Sequence, residues 1–149
     1  MAQKDQEEVI ARAEVVITYV PVRDEIAFQT FLPSLHGKDT YEIRPNASLD
    51  PVDEAKRATS LADGRKTVVL VPGRRFDATG TRHGKGAGWY DRFLSAIPAS
   101  WVRIGFCTDE QFSPAPLIRE SWDEPMDYVV VVADGIPTCY TTHARPAML

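Results

Sequence analysis

Four short runs constrain this chain most: VVITYV (Val15–Val20), TVVLVPG (Thr67–Gly73), WVRIGFC (Trp101–Cys107) and YVVVVAD (Tyr128–Asp134). Each is largely apolar, TVVLVPG being a β-branched run, with little of the polar alternation of a strand that has one face in water. Such runs read as strands covered on both faces, the habit of a mainly parallel sheet sandwiched between helices. TVVLVPG is the clearest, stopped by Pro-Gly. DTYEIRP (Asp39–Pro45) alternates and suits a more exposed strand, and PTCYTTH (Pro137–His143) suits a returning edge strand.

Helical patterns lie between these runs. DEIAFQTFLPSL groups Ile26, Phe28, Phe31 and Leu32 near one face, with Asp24 and Glu25 at the start, where the helix dipole favours anions. DPVDEAKRATSLADG opens on Asp-Pro, passes from acids to bases and closes on Gly64, an ordered start and stop. GWYDRFLSAIP sets Trp89 or Tyr90 with Phe93, Leu94 and Ile97 and ends at Pro98. Alternating strands and helices predict an α/β fold with an open, mainly parallel, three-layer sheet, and 149 residues suit a single domain, 1–149.

The functional signal is concentrated in VPGRRFDATGTRHGKGAGWYDRFL, Val71–Leu94, which follows one strand and runs into a helix. Ligands of open α/β sheets bind at the carboxyl ends of strands. Gly84, Gly86 and Gly88 form G-x-G-x-G, which lets backbone amides close on a phosphate, and the following helix adds free N–H donors. From Arg74 to Arg92 five cations (Arg74, Arg75, Arg82, Lys85, Arg92) face two acids (Asp77, Asp91), in a chain whose net charge is −4. Alone, the glycines read as a tight turn and the cations as a solvated face; together they point to a polyanion site. The overall charge argues against nucleic-acid binding through a broad basic surface.

Asp91 lies just past the glycines. A carboxylate beside phosphates calls for an intervening cation, and Mg²⁺ is held by one or two carboxylates plus phosphate oxygens. Asp123, in ESWDEPMDY, is the candidate second carboxylate; the alternatives are a dipole-favouring helix acid and a solvated loop acid. Trp89 and Tyr90 can stack on a flat heterocycle or pack in the core. His83 beside Lys85 can donate to a phosphate or be incidental. Cys107 and Cys139 lack metal-ligand spacing and read as buried free thiols. No apolar run is long enough to span a bilayer, and the polar start has no signal-peptide core, so a cytoplasmic protein is expected.

In their order, VPG, FD, G, R, GKGAG and WYDR resemble the signature of the 5-formyltetrahydrofolate cyclo-ligase (methenyltetrahydrofolate synthetase) family. The resemblance extends to IGFCTDEQF, to WDEPMDYVVV and, upstream, to YVPVRDEI, covering Val15 to Val132. It implies a Rossmann-like, NagB/RpiA/CoA-transferase-like sheet that binds MgATP and a reduced folate and closes the ring of 5-formyltetrahydrofolate. By motif position it makes Arg82, His83, Gly84, Lys85, Gly86, Ala87, Gly88, Trp89 and Tyr90 the ATP loop. Val20, Glu25 and the stretch Lys85 to Trp89 would meet the folate, and Asp91 and Asp123 would hold Mg²⁺. Arg82 and Lys85 are the candidate catalytic cations, Lys85 being the expected direct phosphate contact. No nucleic-acid or membrane partner is expected, and the protein is expected to be a monomer or small homo-oligomer.

The resemblance has breaks. Members of the family begin with a helix whose Lys and Arg clamp the phosphates; MAQKDQEEVIARA lacks that pattern, so the chain reads as a shortened member. His83 replaces an apolar residue, and Trp122 is not the usual residue before the late aspartate. Three readings stay open: a compact enzyme drawing phosphate cations from Arg74, Arg75 or a neighbouring subunit; a folate- or nucleotide-binding protein without turnover; and an ATP-using enzyme for another substrate.

Overall fold

The structure is a computed structural model that describes residues 2–4, 6–21, 25–27, 35–45, 48–84 and 88–145, with backbone alone for 2–4 and 6. Along the chain run β1 (Ala2–Lys4), α1 (Gln6–Ala11), β2 (Val15–Tyr19), β3 (Asp39–Ile43), α2 (Pro51–Ala62), β4 (Thr67–Pro72), β5 (Arg75–Asp77) and β6 (Arg82–His83). Then come α3 (Trp89–Ala96), β7 (Val102–Thr108), β8 (Phe112–Ser113), β9 (Tyr128–Ala133) and β10 (Ile136–Thr141). A seven-stranded sheet has the order β1-β10-β9-β7-β4-β2-β3. Its β3-β2-β4-β7-β9 portion is parallel, while β10 and β1 add antiparallel. The fold is therefore α/β with a mainly parallel central sheet.

The continuous apolar runs form the inner strands, as their composition requires. Every residue of β2 and β4 is buried. One face of the sheet packs on α2 and α3, through Ala55, Ala58, Phe93 and Leu94 against Ile17, Val69 and Val71. The other carries Val9 and Ile10 of α1 against Val16, Leu70 and Ile104. Cys107 and Cys139 are both buried, and burial pushes the Cys107 thiol up to about 12. Among the described residues, no helix is long and apolar enough to cross a membrane.

Three expectations change. PTCYTTH is not an edge: β1 pairs outside β10, with Gln3 opposite Tyr140. A polar tripeptide far away in sequence completes the sheet, and local pattern cannot announce that. The segment between β4 and α3 is not a bare loop, because β5 and β6 form a hairpin that joins β8 in a second, three-stranded sheet. The helix expected over DEIAFQTFLPSL falls mostly outside the described residues; of those described, Glu25–Ala27 and Leu35 are not helical. The other two helices form where expected. Asp50 caps α2, its Oδ1 accepting from the Val52 and Asp53 amides at 2.8 and 3.3 Å.

Candidate functional site

The order of residues after β4 serves packing first. Phe76 is fully buried beneath Gly73 and Gly105; a Cβ on Gly105 would lie 2.3 Å from the Phe76 ring. Asp77, 1% exposed, organises the hairpin turn. Its Oδ1 accepts from the Thr79 amide (2.9 Å), the Thr79 hydroxyl (2.7 Å) and the Thr81 amide (3.0 Å), and its Oδ2 from the Leu117 amide (2.7 Å). Burial works to raise its pKa, yet these donors together outweigh it and hold the carboxyl below its ordinary value. Gly80, at φ 86°, brings its backbone against Met126, whose amide donates to Gly80 O at 2.8 Å. The FD step and the following glycine thus anchor the segment that carries Asp123.

This platform fixes Arg82. Its Nε donates to Pro72 O at 2.5 Å, and its guanidinium carbon lies 4.9 Å from the centroid of the Tyr90 ring, a cation–π contact. Burial lowers the Arg82 pKa, opposed by the nearby Tyr90, Asp91, Glu25 and Asp123. Gly88 opens α3 in the left-handed region at φ 71°, and among the described residues no side chain caps that helix end. A cleft of about 1230 Å³ lies in front of it. Uncapped amides at a helix N-terminus facing a concavity suit an anion.

Val20, Glu25, Arg82, His83, Gly84, Gly88, Trp89, Tyr90, Asp91 and Asp123 all line this cleft. Lys85, Gly86 and Ala87 lie outside the described residues. Trp89 and Tyr90 are largely buried, at 9% and 6% exposure. The Trp89 indole donates to Leu49 O at 3.0 Å and stacks on Phe93 with centroids 5.5 Å apart. The Tyr90 hydroxyl is buried with no hydrogen-bond partner among the described residues, a costly state that a bound polar group would relieve. His83 Nε2 meets Ile118 O at 2.8 Å, so that nitrogen carries the proton.

Asp91 and Asp123 converge because Asp91 Oδ1 accepts from the Glu124 amide at 3.1 Å. Arg103 braces the same segment from below, donating to Glu124 Oε1 at 3.4 Å and to Leu94 O at 3.0 Å. Burial raises the Asp91 pKa; the Glu124 amide and Arg82 oppose that, and Asp123 adds to it. Among the described residues no group of three or more His, Cys, Asp or Glu could hold a metal by itself. The pair nevertheless fits Mg²⁺, which takes hard oxygens and completes its shell with phosphate and water.

Arg74 and Arg75 are exposed and do not line the cleft. Among the described residues, the Lys and Arg side chains that do are Arg44, Arg82 and Arg92. Sequence reading missed Arg44 as a site residue, along with Asp50 and Trp122. The signal for Arg44 was its place directly after β3, at the carboxyl end of a parallel strand.

A family model described as 5-formyltetrahydrofolate cyclo-ligase matches residues 2–132. The chain is 26% identical over 117 residues to a 5-formyltetrahydrofolate cyclo-ligase of Mycoplasma genitalium, covering 75% of this chain and 68% of that one. It is 44% identical over 75 residues to a protein of the same name from Saccharomyces cerevisiae, covering 46% of this chain and 34% of that one. Two solved 5,10-methenyltetrahydrofolate synthetases share the fold. The one from Mycoplasma pneumoniae has a TM-score of 0.57 at 16% identity, covering 82% of this chain and 79% of the other. The one from Aquifex aeolicus has a TM-score of 0.58 at 20% identity, covering 97% and 79%. With a family match running through nearly every element of the sheet and through the whole cleft, the chain belongs to the 5-formyltetrahydrofolate cyclo-ligase family.

Proposed function

We propose that the chain uses ATP to close the ring of 5-formyltetrahydrofolate, giving 5,10-methenyltetrahydrofolate, ADP and phosphate. The observation that carries this reading is a single cleft joining the uncapped start of α3, Arg82 and the Asp91–Asp123 pair to Val20 and Glu25. In the reaction, the formyl oxygen attacks the γ-phosphorus and ADP leaves. N10 then adds to the activated carbon, phosphate departs and the ring closes.

Phosphoryl transfer asks the protein mainly for position and charge. Amides at the start of α3 hold phosphate oxygens. Arg82, already fixed by Pro72 O and the Tyr90 ring, meets developing charge with little reorganisation. Lys85 contacts a phosphate directly, with His83, Gly84, Gly86, Ala87 and Gly88 completing the loop around the nucleotide. Glu25 and Val20 take the pterin end, with Lys85 to Trp89 closing over it. Tyr90 contributes its ring, which holds the Arg82 guanidinium in place. Asp91 and Asp123 hold Mg²⁺, which when bound neutralises phosphate charge. We place the chain in the NagB/RpiA/CoA-transferase-like class, as one domain over 1–149, in the cytoplasm and as a monomer or small homo-oligomer.

The test is ATP-dependent appearance of the methenyl chromophore from 5-formyltetrahydrofolate, alongside calorimetric titration of each substrate. Product formation that requires ATP is the expected result. Tight folate binding with no product overturns turnover and leaves a binding protein.

A further inference from the structure

The cleft has one broad aromatic face open to solvent among the described residues, and it is not in the glycine motif. Trp122 lines the cleft and is 66% exposed. The other aromatic liners are committed: Trp89 to Leu49 O and Phe93, Tyr90 beneath Arg82. Trp122 is nonetheless held on a fixed backbone. Its turn is closed by the Asp123 amide on Glu120 O (3.1 Å) and the Glu120 amide on Asp123 Oδ2 (2.8 Å). The loop before it is tied to the β5–β6 hairpin by Leu117 on Asp77, by His83 on Ile118 O and by Arg119 on Thr81 Oγ1 at 2.9 Å. A ring so presented binds a flat partner with little ordering cost.

Its position tells which partner. In the sheet, β2 and β3 lie on one side of β4, and β7 and β9 on the other. On the first side Val20 and Arg44 enter the cleft directly after β2 and β3, and the Trp89 indole reaches Leu49 O in the segment that follows β3. On the other, Asp91 reaches the Glu124 amide, beside Trp122 and Asp123. A γ-phosphorus attacked by the folate lies between folate and nucleoside. With folate on the β2–β3 side and phosphates over α3, the base falls at the far end. Resting on the ATP reading above, we propose that Trp122 stacks on the purine of the nucleotide and makes the site prefer a base-bearing triphosphate over bare polyphosphate.

The test titrates MgATP, magnesium tripolyphosphate and 5-formyltetrahydrofolate separately into the native chain, Trp122→Ala and Trp122→Phe, with circular dichroism to check folding. Trp101 and Trp89 are buried, so native fluorescence should be quenched by ATP and not by tripolyphosphate. Trp122→Ala should weaken ATP about tenfold or more, leave the other two ligands within about twofold, and be largely rescued by Trp122→Phe. Equal weakening of ATP and tripolyphosphate would mean that only Asp123 was disturbed, and weakening of the folate alone would assign the ring to the pterin. Either result overturns the proposal, as does an unchanged ATP affinity. A native chain that binds neither ATP nor tripolyphosphate overturns the functional reading as well; a native chain that binds ATP, with Trp122→Ala unchanged, overturns this inference alone.

Discussion

Asp77 and Asp91 belong to one short motif and do opposite work. Asp77, in the β5–β6 hairpin, is surrounded by donors that outweigh its burial, and its pKa is held down. Asp91, in the first turn of α3, is also desolvated, but the Glu124 amide and Arg82 do not offset burial and the Asp123 charge, and its pKa is raised. The first carboxylate has found its partners inside the fold. The second retains an unmet demand for positive charge and faces a cleft. Motif membership does not separate a structural acid from a site acid; the balance of local donors does.

The largest effect should come from Asp91→Asn. It should cut methenyl formation about a hundredfold or more while changing unfolding free energy by less than about 1 kcal/mol, since one backbone hydrogen bond is at stake. An active variant would erase the contrast. Asp77→Ala should do the reverse, costing about 3 kcal/mol in a urea titration because several donors lose their acceptor inside the fold.

Acid sharpens the same comparison. A carboxyl whose folded pKa is depressed contributes stability that is present above its unfolded value, about 4, and is lost as pH falls through the folded one. Native stability should therefore decline below about pH 4, and Asp77→Asn, destabilised at neutral pH, should show a flatter acid limb. Equal acid slopes in the two proteins would remove Asp77 from the explanation.

Gly105→Ala probes the packing under the hairpin. Its new methyl would sit 2.3 Å from the Phe76 ring, so unfolding should become easier by about 1–3 kcal/mol. The smallest effect is expected from Asp50→Ala, about 1 kcal/mol for the lost cap of α2. Both α2 and α3 start at the cleft, but α2 is capped by the Asp50 side chain, whereas among the described residues no side chain caps α3.

Much of the fold was legible because its signals are local. A β-branched run such as TVVLV excludes a half-wet strand, and Asp50-Pro51 followed by acids states where a helix starts. The order from VPG to WYDR was enough to point to the family; of its described residues Arg82, His83, Gly84 and Gly88 to Arg92 line the cleft, while Arg74 and Arg75 do not. What stayed hidden depends on partners distant in the chain. Nothing in Gln3 announces Tyr140, and nothing in Phe76 announces Gly105, whose missing side chain makes room for the ring.

The chain's own order of residues settled its strand cores, its helix starts and the glycine-cation-aspartate motif, because periodicity, capping and backbone freedom act over a few residues. Tertiary structure alone decided that Asp77 is satisfied and Asp91 is not, that Trp89 and Tyr90 turn inward, and that Arg44 and Trp122 share the cleft. Those outcomes follow from strand order and from the crossovers that bring separate loops to one end of a parallel sheet.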